Sequence, residues 1–355
     1  MTGIYTAYGG NHHDMVTQLL EAADVKSRVP RGGSVVIKPN LVVPKLPEHG
    51  ATTHVSIVEA LIVYLRGQCD TGSITIDEGA WLGAKTPAAF AVCGYNALAE
   101  KYGVALLDTK RERTRKISSH GYELDICEVF LRADYFINVP VLKGHCQTDM
   151  TCCLKNLKGC IPDSEKSRYH ARGLHAPIAA LAAALRPHLH IIDNICGDPT
   201  FEEGGNPLRT DRILLGFDPV LLDSHCAGLI GLDYREVDHL RLAEQWGVGR
   251  FVECNTGHVE FGGGERPRTP PERSNIVRNL AGHINEDGAC SACYAALIAA
   301  LHKSRARPPQ PVKIGQGYRG KAVDGVGVGN CTGGCARHLP GCPPKAVDIA
   351  AFLKA

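Results

Sequence analysis

Residues 135–159 read YFINVPVLKGHCQTDMTCCLKNLKG. The stretch begins with a near-continuous apolar run, residues 135–142, and passes directly into lysines, a histidine and threonines. An apolar run of this length without alternation is typical of a strand that is buried on both faces, as in α/β proteins. In such sheets, ligands bind where the strands end. The stretch therefore predicts an α/β fold with a polar site at one strand end.

Strand-like and helix-like segments alternate on both sides of this stretch. Further strands are predicted at residues 34–38, 73–77, 104–108, 188–192 and 212–217. Helices are predicted at residues 55–65, 86–103, 177–185, 219–230 and 237–246. This pattern predicts a layered α/β fold whose largely parallel or mixed sheet is flanked by helices. The order of the strands does not follow from the sequence.

A glycine- and proline-rich charged stretch, residues 262–273, interrupts the alternation and contains GGG followed by ERPRTPPER. Such a composition without periodicity is typical of a linker. We therefore predict an α/β domain over residues 1–262 and a small C-terminal module over residues 274–355.

The overall composition argues against several classes of partner. The 355 residues carry a net charge of +2 and are 44% apolar, as in an ordinary globular protein. Such a balance does not favour nucleic acid or an anionic membrane. We see no secretory signal and no apolar run long enough for a bilayer. The expectation is a cytoplasmic protein with no nucleic-acid or membrane partner; the oligomeric state stays open.

Fifteen cysteines are unusual in a chain of this kind. Without a secretory signal they indicate reduced thiols, metal ligands or redox chemistry rather than disulfides. Most of the ten cysteines before residue 260 are interpreted as small buried hydrophobic residues. A second metal site is considered for Cys146, Cys152, Cys153 and Cys160. Their spacing matches no ligand pattern, and the adjacent Cys152 and Cys153 are expected to point to different faces of any regular element.

The remaining five cysteines cluster near the C-terminus. Cys290 and Cys293 form a Cys-x₂-Cys pair at the start of an alanine-rich helix, where the helix dipole favours thiolates. Single cysteines follow at Cys331 and at Cys342, which precedes a proline. This arrangement predicts a [4Fe-4S] cluster, with structural zinc or no metal as alternatives. Cys335 competes with Cys331 for the fourth position, and the glycines that precede Cys331 favour Cys331.

Cations, amides and imidazoles follow the ends of two predicted strands. Because such groups suit a carboxylate or phosphate, we predict that they bind a small anionic substrate. The predicted substrate-binding residues are Lys38, Asn40, Lys143, His145, Lys155, Asn156, Lys158, Arg168 and His170. The carboxylates of Asp77, Glu78 and Asp193 also lie at strand ends and would suit a metal ion or a general base. No catalytic residue is identified.

Several of these segments resemble the domain of unknown function 362 family, whose members are described as predicted Fe–S centre proteins. The resemblance rests on VVIKPNLV (35–42), ITIDEG (74–79), FINVPVLKGH (136–145), LKNLKG (154–159), Arg168-x-His170 and HIIDNI (190–195). The C-terminal cysteine pattern is similar to the proximal-cluster region of hydrogenase small subunits. That similarity implies Cys290, Cys293, Cys331 and Cys342 as cluster ligands and does not imply hydrogenase activity.

The sequence favours an iron–sulfur oxidoreductase that acts on a small anionic substrate and exchanges electrons with a redox partner protein. One alternative is an enzyme of the hydro-lyase type, in which the cluster acts as a Lewis acid. Another is a non-catalytic electron carrier or cluster-delivery protein. No motif supports a flavin or nicotinamide cofactor.

Overall fold

A computed structural model describes residues 3–263 and 276–354. The chain divides into two compact units. The first contains residues 1–80, 84–163 and 175–272, and the second contains residues 81–83, 164–174 and 273–355. The second unit thus includes a segment from the middle of the chain, which the sequence assigned to the α/β domain. Residues 264–273 of the predicted linker, and residues 274–275 after it, lie outside the described residues.

The first unit is built on a central sheet with helices packed against it. Its strands are β1 (Gly3–Tyr8), β2 (Val35–Pro39), β3 (Ile74–Glu78), β4 (Ala105–Asp108), β5 (Thr114–Ser119), β6 (Tyr122–Cys127), β7 (Tyr135–Val139), β8 (Lys143–His145), β9 (Asp149–Thr151), β10 (Leu189–Gly197), β11 (Leu208–Gly216) and β12 (Gly257–Phe261). Its helices are α1 (His12–Ala22), α2 (Val55–Gln68), α3 (Thr86–Val92), α4 (Tyr95–Tyr102), α5 (Glu128–Arg132), α6 (Cys153–Asn156), α8 (His175–Leu185), α9 (Pro219–Leu229) and α10 (Asp238–Gln245). Helix α7 (Asp163–Ala171) lies almost entirely in the second unit.

The central sheet has the strand order β12-β1-β11-β10-β7-β2-β3-β4. Strands β10, β7, β2, β3 and β4 run parallel, whereas β11 is antiparallel to both of its neighbours. Strands β2 and β7 are buried along their whole length, because helices cover both faces of a parallel sheet. The predicted mixed α/β class is therefore confirmed. The parallel run also brings five strand ends to one edge of the sheet.

The core joins α1 and α2 to the sheet through apolar side chains. Leu19 of α1 and Leu61 of α2 belong to the same buried cluster as Ile37 of β2 and Ile137 of β7. This packing fixes the position of β2 beside β7, and thereby the position of the polar residues that end these strands.

One predicted helix is wrong. The sequence predicted a single helix over residues 86–103, but α3 ends at Val92 and α4 starts at Tyr95. Gly94 lies between them with a φ of 82°, which breaks the helical path at a residue that tolerates this conformation. Within the part of the chain that the structure describes, no helix combines the length and the apolar character needed to span a bilayer.

The second unit contains a smaller parallel sheet with the strand order β13-β14-β15-β16. Its elements are β13 (Ile284–Glu286), β14 (Val312–Ile314), β15 (Val323–Val328), β16 (Cys335–Leu339), α11 (Ile276–Ala281), α12 (Ser291–Ser304) and α13 (Ala346–Lys354). Leu297 and Leu301 of α12 are completely buried, as are Val312 and Ile314 of β14. This apolar packing holds the N-terminus of α12, where Cys290 and Cys293 lie, within the unit.

Candidate functional site

Polar residues from neighbouring strands lie side by side at the carboxyl edge of the central sheet. Lys38 of β2 is in register with Asn138 of β7, and Asn138 is in register with His190 of β10. All three residues are completely buried. Polar groups in such a position usually find partners within the protein, and Lys38 and Asn138 do so in one continuous network.

Asn156 is the centre of this strand-end network. Its Oδ1 atom accepts hydrogen bonds from Lys38 Nζ at 3.2 Å and from Asn40 Nδ2 at 2.7 Å. Its Nδ2 atom donates to Asn138 Oδ1 at 2.8 Å. Asn40 in turn accepts a 2.7 Å hydrogen bond from Lys143 Nζ. The amide of Asn156 therefore links residues at the carboxyl ends of two parallel strands, β2 and β7, which is the convergence expected at the ends of parallel strands.

Lys38 also forms a buried ion pair with Glu78, which ends β3. Gly159 makes room for this pair, because a Cβ atom at that position would lie 2.5 Å from Lys38 Nζ and 2.7 Å from Glu78 Oε1. Asn156 and Gly159 both belong to the LKNLKG segment. This segment therefore contributes to the network in two ways. The amide of Asn156 forms hydrogen bonds, and Gly159 leaves space for the Lys38–Glu78 pair because it has no side chain.

Three ionisable groups near the network have pKa values close to neutral. Burial lowers the pKa of Lys143 to about 7, against the opposing effect of Glu202. Burial raises the pKa of Asp77 to about 7, and a hydrogen bond from Thr109 opposes this shift. Burial and then the charge of Glu202 raise the pKa of Glu203 to about 7. Groups of this kind can take up and release protons at physiological pH.

His145 and Lys155 both contact the carboxylate of Glu202 and form a second cluster of ionisable side chains with it. Its Nδ1 atom accepts hydrogen bonds from the backbone N–H groups of Gln147 and Thr148, both at 3.0 Å. The ring proton is therefore assigned to Nε2, which faces the Glu202 carboxylate. Burial lowers the pKa of His145 to about 3, so the ring is neutral. Lys155 Nζ lies 3.3 Å from the same carboxylate.

His54 and Asp193 form a pair that the sequence did not predict as such. The Oδ2 atom of Asp193 lies 2.8 Å from His54 Nδ1 and accepts a 2.7 Å hydrogen bond from the backbone N–H of His54. Burial tends to lower the pKa of His54, but the Asp193 carboxylate reverses this effect and the pKa is raised. Asp193 was singled out as a strand-end carboxylate, whereas nothing in the sequence around His54 indicated its partner.

The structure brings together most of the predicted substrate-binding residues. Lys38, Asn40, Lys143 and Asn156 share the strand-end network, and His145 and Lys155 share Glu202. Lys158 follows in the same segment and is partly exposed. Arg168 and His170 belong to the second unit, where Arg168 forms an ion pair with Glu165. The cations Lys38 and Lys143 are completely buried and already bonded, which the sequence did not indicate.

In the second unit, the segments that carry the predicted cluster ligands are bonded to one another. Asn330 donates its backbone N–H to Gly341 O at 2.9 Å, and its Oδ1 atom accepts from the N–H of Gly341 at 2.7 Å. Cys331 and Cys342 directly follow these two residues. A Cβ atom at Gly329 would lie 3.6 Å from Cys293 Sγ and 3.7 Å from Gly341 O. The loop at Gly329 therefore lies against both the α12 N-terminus and the Cys342 segment.

Polar side chains point toward these thiols. Arg319 lies 3.5 Å from Cys331 Sγ, and Gln316 Nε2 lies 3.8 Å from Cys290 Sγ. Burial, and to a smaller extent the charges of Cys290, Cys342 and Cys331, raise the pKa of the Cys293 thiol to about 12. The buried Sγ atom of Cys335 lies 2.8 Å from the position that a Cβ atom of Gly327 would occupy. A positively charged donor such as Arg319 beside a cysteine favours the thiolate form of that cysteine.

The spacing of the four thiols bears on the kind of metal group that fits them. Tetrahedral zinc with Zn–S bonds of about 2.3 Å holds its sulfur atoms about 3.8 Å apart. Among the described residues, a group of three ligand atoms within 4.8 Å of one another occurs at Cys152, Cys153 and Asp223. Among the described C-terminal thiols, no such group of three ligand atoms occurs.

A comparison with protein families matches the model for a domain of unknown function, DUF362, to residues 35–228. The matched region is more than half of the 355-residue chain. The chain belongs to the DUF362 family. The family region of this DUF362 protein contains the strand-end network and the His54–Asp193 pair, whereas all five C-terminal cysteines lie beyond it.

Two individual relatives are similar to this DUF362 protein. Thylakoid-associated protein sll1697 of Synechocystis sp. is 26% identical over 231 residues, which are 62% of this chain and 70% of the relative. The lactate racemase apoprotein of Thermoanaerobacterium thermosaccharolyticum is 15% identical, with a TM-score of 0.43. That match covers 64% of this chain and 57% of the racemase chain. We draw nothing about the activity of this protein from either relative.

Proposed function

We propose that this DUF362 protein is an iron–sulfur oxidoreductase in which Cys290, Cys293, Cys331 and Cys342 hold a [4Fe-4S] cluster. The observation that carries the proposal is the position of Gly329, where a Cβ atom would lie 3.6 Å from Cys293 Sγ and 3.7 Å from Gly341 O. Gly329 therefore lies between the segment that contains Cys290 and Cys293 and the segment that contains Cys342, which are the two cysteine segments farthest apart in sequence. Gly329 has a φ of 97°, a backbone conformation that glycine adopts without strain, so a glycine supports this path of the loop between the cysteines.

The number of thiols favours a redox role over a Lewis-acid role. A cluster supplies one-electron transfer when all of its irons are bound by protein. A Lewis-acid role would require one iron open to the substrate, and thus three protein ligands. Four cysteines on connected segments support the redox role, and the partner that exchanges electrons with them would be a protein.

The first unit supports the enzymatic part of the proposal through its proton-handling groups. Lys143, Asp77 and Glu203 have pKa values of about 7, and all three lie near the carboxyl edge of the sheet. Perturbed pKa values of this kind cluster at catalytic sites. We propose that a small anionic substrate contacts Lys155 and Lys158, because these two lysines are partly exposed, whereas Lys38 and Lys143 are buried.

The proposal is tested by purifying the full chain without oxygen and measuring iron, acid-labile sulfide and zinc. Electron paramagnetic resonance before and after dithionite then reports whether a cluster changes its oxidation state. We expect iron and sulfide in equal amounts and a signal that dithionite changes. A colourless protein that contains zinc would contradict the cluster, and a cluster that dithionite does not reduce would contradict the redox role.

A further inference from the structure

A second group of thiols meets a carboxylate in the interior of the first unit. The Sγ atoms of Cys152 and Cys153 and a carboxylate oxygen of Asp223 all lie within 4.8 Å of one another. The three residues are completely buried. We propose that these residues, together with Cys226, bind a divalent metal ion of the zinc class; we call this group the buried thiol site.

Backbone geometry explains how two adjacent cysteines face the same carboxylate. Cys152 precedes α6 as its N-cap residue, with φ −156° and ψ −138°, whereas Cys153 is the first residue of the helix. The expectation that the two thiols point to different faces is therefore wrong, because it assumed one regular element. Asp223 and Cys226 lie three residues apart on α9 and thus on the same helix face. The thiols of Cys226 and Cys152 interact with each other.

The carboxylate of Asp223 is held in place by backbone donors. Its Oδ1 atom accepts a 2.7 Å hydrogen bond from the N–H of Cys153, and its Oδ2 atom accepts a 3.0 Å hydrogen bond from the N–H of Leu154. Each carboxylate oxygen retains lone-pair capacity for a further ligand bond. Hydrogen bonds that orient a ligating carboxylate are a common feature of metal sites.

The chemistry of the group favours a cation. A buried carboxylate is normally paired with a partner or coordinates a metal ion. A divalent ion would bind the thiols as thiolates by displacing their protons. Thiolates with one carboxylate in a four-coordinate group suit zinc. The competing explanation is that these thiols form hydrogen bonds and fill space between α6 and α9.

Zinc content of matched variants distinguishes the two explanations. The full chain, produced without a polyhistidine tag, carries Cys290→Ser and Cys293→Ser so that the C-terminal thiols do not retain zinc. After exposure to zinc and dialysis, we expect about one zinc per chain in this background. Cys153→Ala and Asp223→Asn should each lose that zinc. Cys127→Ala is the matched control, because Cys127 is equally buried and its thiol donates to Thr109 O, 3.5 Å away.

The melting temperature provides a second test in case Cys153→Ala or Asp223→Asn does not fold. Zinc should raise the melting temperature of the background chain, and more at pH 8 than at pH 6, because binding releases thiol protons. The more conservative Cys153→Ser should abolish that rise. The proposal is overturned if the background chain takes up no zinc, or if Cys153→Ser retains both the zinc and the rise. Neither result depends on the [4Fe-4S] cluster, so this proposal and the proposed function can fail separately.

Discussion

The Nζ atom of Lys143 donates a 2.7 Å hydrogen bond to Oδ1 of Asn40, although 103 positions separate the two residues in the chain. Lys143 also donates a 2.5 Å hydrogen bond to the carbonyl oxygen of Ala51. A lysine buried among neutral acceptors holds its proton weakly, and its pKa is lowered to about 7. The strand-end network is therefore a polar interior whose charge depends on pH, and the following predictions test its parts.

Replacement of Glu78 by glutamine should strongly destabilise the first unit. Glu78→Gln leaves the buried Lys38 ammonium without its ionic partner, which costs about 3 kcal/mol or more in the free energy of unfolding. Chemical denaturation of the variant measures this cost. Glu59→Gln is the matched control, because Glu59 pairs with the exposed Lys101, and we expect little change there. Equal effects of the two substitutions would contradict the account of the Lys38–Glu78 pair.

Asp77→Asn should stabilise the protein in a manner that depends on pH. The pKa of Asp77 is about 7 in the folded chain and about 3.9 in an unfolded one. Between these values the folded state binds more protons, so the stability of the wild type falls as pH rises. The stability gained by Asp77→Asn should therefore grow from pH 4 to pH 7, by about 1.4 kcal/mol per pKa unit of the shift, and stay constant above.

Denaturation curves of wild type and Asp77→Asn at several pH values give the difference directly. A difference that does not change between pH 4 and pH 7 would show that Asp77 titrates normally. Asp77 would then be ionised at neutral pH and could not exchange a proton near pH 7, as the proposed function requires.

How much of this site the sequence could predict differs between its parts. The strand ends at Lys38, Asp77 and Asn138 were predictable, since apolar strands have a clear pattern and parallel strands end at one edge. The pairing within the site was not predictable. Lys38 finds Glu78 and Lys143 finds Asn40 only through the strand order, which depends on packing between distant segments. The sequence therefore suggested open cations, whereas the fold buries and bonds two of them.

The same limit applies to the second unit. The spacing of Cys290 and Cys293 and the proline after Cys342 indicated a metal module from local pattern alone. Its parallel sheet was not predicted. Strands β13 and β14 have three residues each, which is too short to show a pattern of apolar and polar residues. The assignment of residues 164–174 to this unit was also missed, since residues 175–272 separate the segment from the C-terminal part of the unit.

Gly329→Ala should impair the retention of the cluster. Gly329 has a φ of 97°, which alanine adopts only with strain of about 1–3 kcal/mol, and the added Cβ would lie 3.6 Å from Cys293 Sγ. Gly333→Ala is the matched control in the same loop, because Gly333 has a φ of −61° and its Cβ would meet only ordinary contacts. Iron content after anaerobic purification measures both variants. Equal iron in Gly329→Ala and Gly333→Ala would argue against a cluster beside Gly329.

Lys155→Met should weaken the binding of small anions. The loss of one charge-assisted hydrogen bond costs about 1.5–3 kcal/mol, which is about tenfold or more in affinity. Calorimetric titration with sulfate, phosphate and a small carboxylate measures the effect. Lys101→Met, on the exposed surface of α4, is the control and should bind as the wild type does. If Lys155→Met retains the affinity of the wild type, the proposed contact of the substrate with Lys155 is wrong.

The central claim is that Cys331, and not Cys335, completes a [4Fe-4S] site with Cys290, Cys293 and Cys342. The most direct test is the iron and sulfide content of Cys331→Ser and Cys335→Ser, purified in parallel without oxygen. We expect Cys335→Ser to keep about four iron and four sulfide per chain, as in the wild type, and Cys331→Ser to lose them. The loss of the cluster from Cys335→Ser, with its retention in Cys331→Ser, would contradict the account.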